Sequence, residues 1–437
     1  MTGPAAESAV RGDPPAGRSI LAGLGLLAIA VVAALVVGGP DPRALPLEPA
    51  AWFDPGFRRL SAEYAETKYS LWAAATILRW GALAALIALG AGPVLARLGR
   101  RLGRGRVFPS AFFAAFLLLA ALALVVFPLN LASGFHVEQL YGLSTQSLTG
   151  WLLDTTRRQG FWIAVYAAAA AGFVACLRRW PRQGWLVAAL GGTLVAVAGA
   201  TLAPVVIDPL FADFTPLADH GLEAEIVAMG ALAGLEVDRV RVVDASRRTR
   251  RLNAYVTGLG ATRQVVLYDN LLERAPRDEL LLVVAHELGH AAEHHVRKGL
   301  MWALPGIVFA AWLLAGIARW RAGRDARLAG PGDPAGLPLL WLAVTLLLFV
   351  SSPIESAVSR RMEARADWLA LELTRDPDTF VAVERRLARA NLAPVTPPEW
   401  VVAWFSSHPP VLERIGMAEH WRAERDAAAL PHARTLH

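Results

Sequence analysis

The chain has 437 residues, 55% of them hydrophobic and only 18% charged, with a mean hydropathy of +0.40 and a formal charge of +6. A water-soluble domain carries nearer a quarter charged residues, so part of this chain must bury its apolar surface in lipid. The positive balance does not point to nucleic acid, because the arginines cluster beside apolar segments instead of interleaving with exposed aromatics, and anionic lipid headgroups suit them better. A single cysteine, Cys176, rules out an intrachain disulfide.

Residues 1–18 are polar and rich in proline and glycine, and read as a flexible lead. From Ser19 to Gly39 the chain is uncharged and apolar over a length that crosses a bilayer. Arg11 and Arg18 ahead of it would suit a signal peptide, but the apolar run is longer than the roughly 7–15 residues such peptides use, so a retained helix is expected. Residues 41–68 are mixed in charge and predict a loop and the start of an amphipathic helix. A second span is expected over about Ser70–Leu95; it holds Arg79, which in lipid has to face a cavity or the protein interior. The basic run RLGRRLGRGR (97–106) leads into a third span, about Val107–Leu131. After a stretch too polar for lipid come an alanine-rich fourth span, Phe161–Leu177, and, beyond Arg178, Arg179 and Arg182, a fifth at about Gly184–Val206.

From 216 to 299 the composition is that of a soluble domain. Here the patterning predicts a helix near 219–234, β-like runs at 239–244 and 263–269, and a helix from about Asp278, hence a small sheet packed on that helix. Two more spans, about Leu300–Ala318 and Leu337–Val350, bring the count to seven, with the basic segment 319–336 between them. Past Pro353 a further helix carries IESAVSRRMEARADWLALEL.

Within ELLLVVAHELGHAAEHH, His286 and His290 stand four residues apart, one helical turn, so both imidazoles reach one metal from the same face. Glu287 follows the first histidine. Borderline nitrogen ligands with an adjacent carboxylate base form the pattern H-E-x-x-H of zinc hydrolases. A tetrahedral site that works catalytically needs one more protein ligand and one open position. Glu293, His294 and His295 are near in sequence, and His294 lies one turn beyond His290, but a solvated helix end is the expected role of these three. Glu363 is the better candidate: it shares a helix face with Asp367, so one carboxylate can bind the metal while the other takes a ligand imidazole N–H. Against this stands a plain surface helix whose acids pair with Arg360, Arg361 and Arg365.

Beyond the metal motif, YGLSTQSLTGW (141–151), IDPLFADFTPL (207–217), LNAYVTGLG (252–260), VVLYDNLL (265–272), SRRMEARAD (359–367) and SSHPPVLERI (406–415) together resemble the M48 integral-membrane zinc metallopeptidases, on the Ste24 or type 1 CAAX prenyl protease branch. The resemblance covers most of the chain. It implies His286, His290 and Glu363 as ligands of one Zn²⁺ per chain, Glu287 as general base, and Asp367 as the acid behind a ligand. It also implies that Asn253 and Tyr255 lie on an edge strand where extended peptide adds, and that His408, with Arg414 in the same segment, contacts the substrate carbonyl. For Asn253 an ordinary turn, for Tyr255 a core or interface aromatic, for His408 a helix-start residue before two prolines, and for Arg414 a surface or headgroup contact remain alternative readings of the residues.

The implied fold is a multi-pass α-helical membrane protein. About seven transmembrane helices enclose a chamber, and a mainly helical, zincin-like metallopeptidase domain holds a small β-sheet. The expected division is a flexible N-terminus at 1–18, five membrane helices in 19–206, a first peptidase part with the HExxH helix in 207–299, membrane helices six and seven in 300–353, a second peptidase part with the third ligand in 354–420, and a tail at 421–437. The implied reaction is hydrolysis of peptide bonds in a peptide or protein substrate, lipidated or membrane-inserted, with membrane lipids as partners and no nucleic acid; a monomer fits this reading. High alanine, arginine and glycine usage suggests a bacterial inner membrane, where quality control or exported-peptide processing is the alternative to removing C-terminal residues from prenylated proteins. A non-catalytic zinc scaffold is disfavoured by the intact Glu287. The arginines at 97–106, 178–182 and 319–327 fall on one side of the alternating spans, in the cytoplasm by the positive-inside rule. Seven spans then put the metal region across the membrane, whereas eukaryotic relatives present theirs to the cytosol.

Overall fold

The computed structural model describes residues 43–258 and 263–429. The first expected span, 19–39, lies outside the described residues. Among the described residues six helices are long and apolar enough to cross a membrane. They contain α1 (Pro55–Ala88), α3 (Val107–Leu131), α4 (Leu148–Arg179), α5 (Gly184–Leu202), α9 (His295–Ala322) and α10 (Leu337–Thr374). Their outward faces carry leucine and valine, such as Leu124, Leu194, Leu348 and Val195, which stay largely exposed among the described residues. Small residues fill the seams between them: Ala111, Ala114 and Ala115 of α3 pack on Ala167 and Ala171 of α4, allowing close backbone approach.

The second span differs from its expected limits. The helix starts at Pro55 because Asp54 caps it, its carboxylate accepting from Phe57 N at 2.8 Å, and proline suits the first helical position. It stops at Ala88, two residues before Gly90, whose φ of 66° is left-handed. The arginine run then forms a separate amphipathic helix, α2 (Gly92–Leu102). The connection between α9 and α10 packs against α2 and α3, so the twelve arginines of the three basic segments gather at one end of the bundle.

At the other end sits the domain built from 214–294 and the far half of α10. Its sheet has four strands in the order β1-β2-β4-β3: β1 (Phe214–Pro216), β2 (Arg239–Val243), β3 (Ala254–Thr257) and β4 (Gln264–Tyr268). β2 and β4 are the two runs legible in the sequence. They pair in parallel, and antiparallel β1 and β3 close the two sides, with Tyr255 opposite Val266. Val240, Ala254, Val265 and Leu267 face a core shared with α6 (His220–Leu232), α7 (Asp269–Arg274), α8 (Arg277–Ala292), α11 (Pro377–Asn391) and α13 (Val411–Ala429). Val243, Val266 and Tyr255 face the opposite way.

Two features tie this domain to the bundle. Glu138 gathers Tyr64 Oη at 2.7 Å, Lys68 Nζ at 2.9 Å and Arg251 Nη2 at 3.0 Å, fixing the approach to β3 against α1. In addition, α10 is a single helix. Instead of ending at Pro353 and restarting, it runs unbroken from Leu337 to Thr374. Proline inside a membrane helix is tolerated where neighbouring groups take up the freed carbonyl. The last apolar span and the acids Glu363 and Asp367 therefore move as one rod.

Candidate metal centre

On α8 the apolar residues Leu280, Val284 and Leu288 are buried in the core, so the adjoining face, with His286 and His290, turns toward α10. The two helices touch at Gly289, where a Cβ would stand 3.0 Å from the Ala366 carbonyl oxygen and 3.1 Å from Ala366 Cα. A Cβ here would make α10 give by a few tenths of an ångström, and Ala366 is three residues beyond Glu363. His286 Nε2 lies 3.1 Å from His290 Nε2, and Glu363 Oε2 lies 3.3 Å from the former and 3.5 Å from the latter.

These separations can be tested against an ion. Ligand bonds of about 2.0–2.1 Å at tetrahedral angles put neighbouring ligand atoms about 3.3 Å apart. The three atoms match that edge length, and the buried Glu363 Oε2 has no aligned hydrogen bond of its own. Two imidazoles and a carboxylate are a zinc donor set, and the residues present fit the group.

Each ligand imidazole is oriented from behind. His286 Nδ1 is 2.7 Å from Asp367 Oδ1, which leaves Nε2 for the metal. Asp367 is fully buried, and Arg414 forks onto it, Nε to Oδ2 at 2.7 Å and Nη2 to Oδ1, while its Nη1 reaches Glu384 Oε2 at 2.8 Å. Arg414 is thus neither a surface residue nor a headgroup contact. Burial works against its charge, but the carboxylates of Asp367 and Glu384 outweigh burial and hold the guanidinium above its ordinary range. Burial pushes the Glu384 carboxyl up to about 7 against the pull of Arg414.

His290 is held by a residue that sequence reasoning assigned to solvent. The chain turns at His294, whose φ of 54° is left-handed, and His295 folds back with Nδ1 2.9 Å from His290 Nδ1. His295 is buried, while Glu293 bridges Lys298 and Arg365 at 2.8 and 2.9 Å. The available signal was the five-residue spacing from His290, which becomes meaningful only once the helix breaks at 294.

Glu287 points between the cluster and β3, where its Oε2 accepts from Val256 N at 3.3 Å. Tyr268 N donates to Asn253 O, and Tyr255 pairs with Val266 across to β4, so the alternating groups of Ala254 and Val256 lie on the free edge of the sheet. Burial raises the Glu287 carboxyl above the usual carboxylate range. Asn253 is exposed at the start of this edge and lines a cleft of about 470 Å³ together with His408, Leu387 and Arg414. Tyr255 does not join the cluster; its ring lies on the sheet face away from α8, in the apolar group with Val243 and Val266.

His408 is brought over the cluster by the loop after α12 (Glu399–Phe405), with Nε2 3.1 Å from Glu363 Oε2 and Nδ1 2.9 Å from Ser407 Oγ. A Ser407 hydroxyl donating to Nδ1 would leave the ring proton on Nε2, the tautomer in which His408 faces the site as a donor.

The family model described as peptidase family M48 matches residues 216–422, and one described as CAAX prenyl protease N-terminal, five membrane helices, matches 43–213. An uncharacterized metalloprotease of Bacillus subtilis (strain 168), YhfN, is 32% identical over 386 residues, covering 85% of this chain and 88% of that one. The CAAX prenyl protease 1 homolog of Oryza sativa subsp. japonica is 28% identical over 302 residues, 67% of this chain and 69% of its own. The crystal structure of S. mikatae Ste24p superposes with a TM-score of 0.77 at 22% identity, covering 92% of this chain and 97% of that chain.

Proposed function

We propose, from the premise that the chain belongs to peptidase family M48, specific roles for its residues in peptide-bond hydrolysis. The protein is a zinc-dependent membrane endopeptidase of the CAAX-protease-like kind. The observation that carries the assignment of roles is the convergence of His286, His290 and Glu363 at ion-sized spacing beside a carboxylate that itself meets a free strand edge. His286, His290 and Glu363 hold one zinc ion, which when bound acidifies a water and polarises a carbonyl.

The remaining steps belong to the chain's own groups. The substrate lies extended along β3, pairing with the outward backbone groups of Ala254 and Val256. Glu287, released from Val256 N, takes the proton of the attacking water and delivers it to the departing amine. His408 Nε2–H donates to the oxygen that gains charge as the carbonyl is attacked. Asp367, backed by Arg414 and Glu384, keeps His286 in the right tautomer. Asn253 borders the cleft in which the far side of the substrate rests.

The substrate is a segment of a membrane-associated protein, reached from within the bundle, and the setting is a bacterial inner membrane. The arginine-rich end lies in the cytoplasm and the metal cleft opens on the other side; a reporter fused near residue 230 is expected to report the extracytoplasmic face, and a cytoplasmic signal reverses the assignment. Glu287→Gln tests the mechanism. It should keep its zinc and lose about 10²–10⁴-fold in cleavage, and full activity would sink the assignment of the base. Farnesylated and unmodified peptides compared with and without chelator show whether the prenyl group of the relatives' substrates is needed here; zinc without chelator-sensitive cleavage would return the scaffold reading.

A further inference from the structure

Three polar side chains of α10, Ser352, Ser356 and Arg360, recur every four residues and so form one stripe. The stripe faces the C-terminal end of α12, where the last carbonyls of any helix lack partners within the helix and carry partial negative charge. Ser352 and Ser356 both donate to Trp404 O, Ser356 at 3.2 Å. Arg360 Nη1 donates to Val402 O at 2.6 Å and to Ser406 O at 3.0 Å, joining the end of α12 to the loop beyond it. His408 is two residues past Ser406, a reach of at most about 7 Å. Its side chain is 55% exposed, so packing does not hold it over the cluster. What fixes it is the backbone that Arg360 clamps, together with the Ser407 hydroxyl on its Nδ1.

We propose that Arg360 is a positioning residue: by gripping the Val402 and Ser406 carbonyls it sets His408 at the distance from Glu363 that the oxyanion requires. Arg360 and Glu363 are three residues apart on one unbroken helix, so the clamp and the metal ligand are fixed to each other and the His408-to-ligand spacing survives any tilt of α10. A guanidinium suits the task because its donors lie in a rigid plane and its charge is permanent, complementing the helix end.

The inference rests on the reading of His408 as an oxyanion donor, and the test separates the two. A fluorogenic peptide cleaved by the wild type in a chelator-sensitive way serves as probe, with zinc content measured on each full-length variant. His408→Ala should lower kcat by about 10²–10³-fold, and Arg360→Met should lower kcat toward that value with KM and zinc content held. In the His408→Ala background Arg360→Met should cost less than about threefold, since a group acting through His408 has nothing left to position. Arg360→Lys, which keeps the charge but only part of the grip, should fall between wild type and Arg360→Met. It carries the same double-variant comparison if Arg360→Met does not fold. Equal losses in both backgrounds, or loss of zinc with Arg360→Met, overturn the positioning role while leaving His408 in place. A kcat unmoved by His408→Ala overturns the His408 reading and the inference with it.

Discussion

Gly289→Ala adds one methyl at the point where α8 and α10 touch. The new Cβ would stand 3.0 Å from Ala366 O and 3.1 Å from Ala366 Cα, against ordinary contacts that begin near 3.4 Å. Backbone cannot rotate aside as a long side chain can, so α10 must retreat by about 0.3–0.4 Å to reach a normal separation. Overpacking of this kind costs about 1–3 kcal/mol, while alanine in place of glycine returns about 1 kcal/mol of helix propensity, leaving a net loss near 0–2 kcal/mol for the metal-free protein. The metal site is less forgiving. Ligand distances in such sites hold within about 0.2 Å, and the retreat carries Glu363, three residues from Ala366, away from both imidazoles. Zinc affinity should therefore fall by at least about tenfold, in the range seen on removing a ligand's outer support, with only a few degrees lost from the metal-free melting temperature. Competition against a chromophoric chelator in detergent, with thermal melts of the metal-free protein, measures both. Unchanged zinc affinity would refute the claim that helix contact at Gly289 sets the ligand spacing.

Arg414→Met should lower the unfolding free energy by about 3–5 kcal/mol, since it strands the buried carboxylates of Asp367 and Glu384. Arg414→Lys should recover only part, because a point charge cannot fork both oxygens of Asp367; a variant melting like wild type contradicts this account. His295→Ala should weaken zinc binding by about 10–100-fold with the ligands intact, which chelator competition reads directly, and an unaltered affinity would return His295 to a packing role. Glu293 supplies a pH test. Its Lys298 hydrogen bond, helped by Arg365 and opposed by burial, lowers the carboxyl to about 2, below the roughly 4.3 of an unfolded chain. The stabilisation is then present at neutral pH and lost as pH falls from about 4 toward 2, and solvent screening of the exposed partners holds it to about 1 kcal/mol. The melting-temperature gap between wild type and Glu293→Gln should narrow over that window, and a gap undiminished below about pH 2 argues against the ion pairs as its source.

The six described spans were legible because lipid demands long uninterrupted apolar runs, and the metal pair because a four-residue spacing on a helix has a single geometric meaning. Glu363 and Asp367 could be picked out as acids on one face, yet their depth could not, nor that one helix would pass through Pro353 to carry them from the membrane to the site. β1 went unread as a strand, and β3 was reached only through the family resemblance, because three- and four-residue edges leave too little alternation to detect. His295 looked like a solvated residue and Arg360 like an ordinary ion-pair partner, because what they bind, His290 Nδ1 and the carbonyls of α12, is fixed by a left-handed break at His294 and by helix packing. Neither is written in local pattern.

What the sequence determined by itself is the chemistry and the setting: a metal pair with its base, a carboxylate pair, and apolar spans that admit no medium but lipid. These depend on residue type at short spacing, and the helix period converts spacing directly into proximity. The tertiary structure alone decided which atoms meet across long separations. It placed Arg414 on Asp367, Val256 N on Glu287 and His408 over Glu363, because such contacts follow from where whole helices and strand edges come to rest and not from any period along the chain.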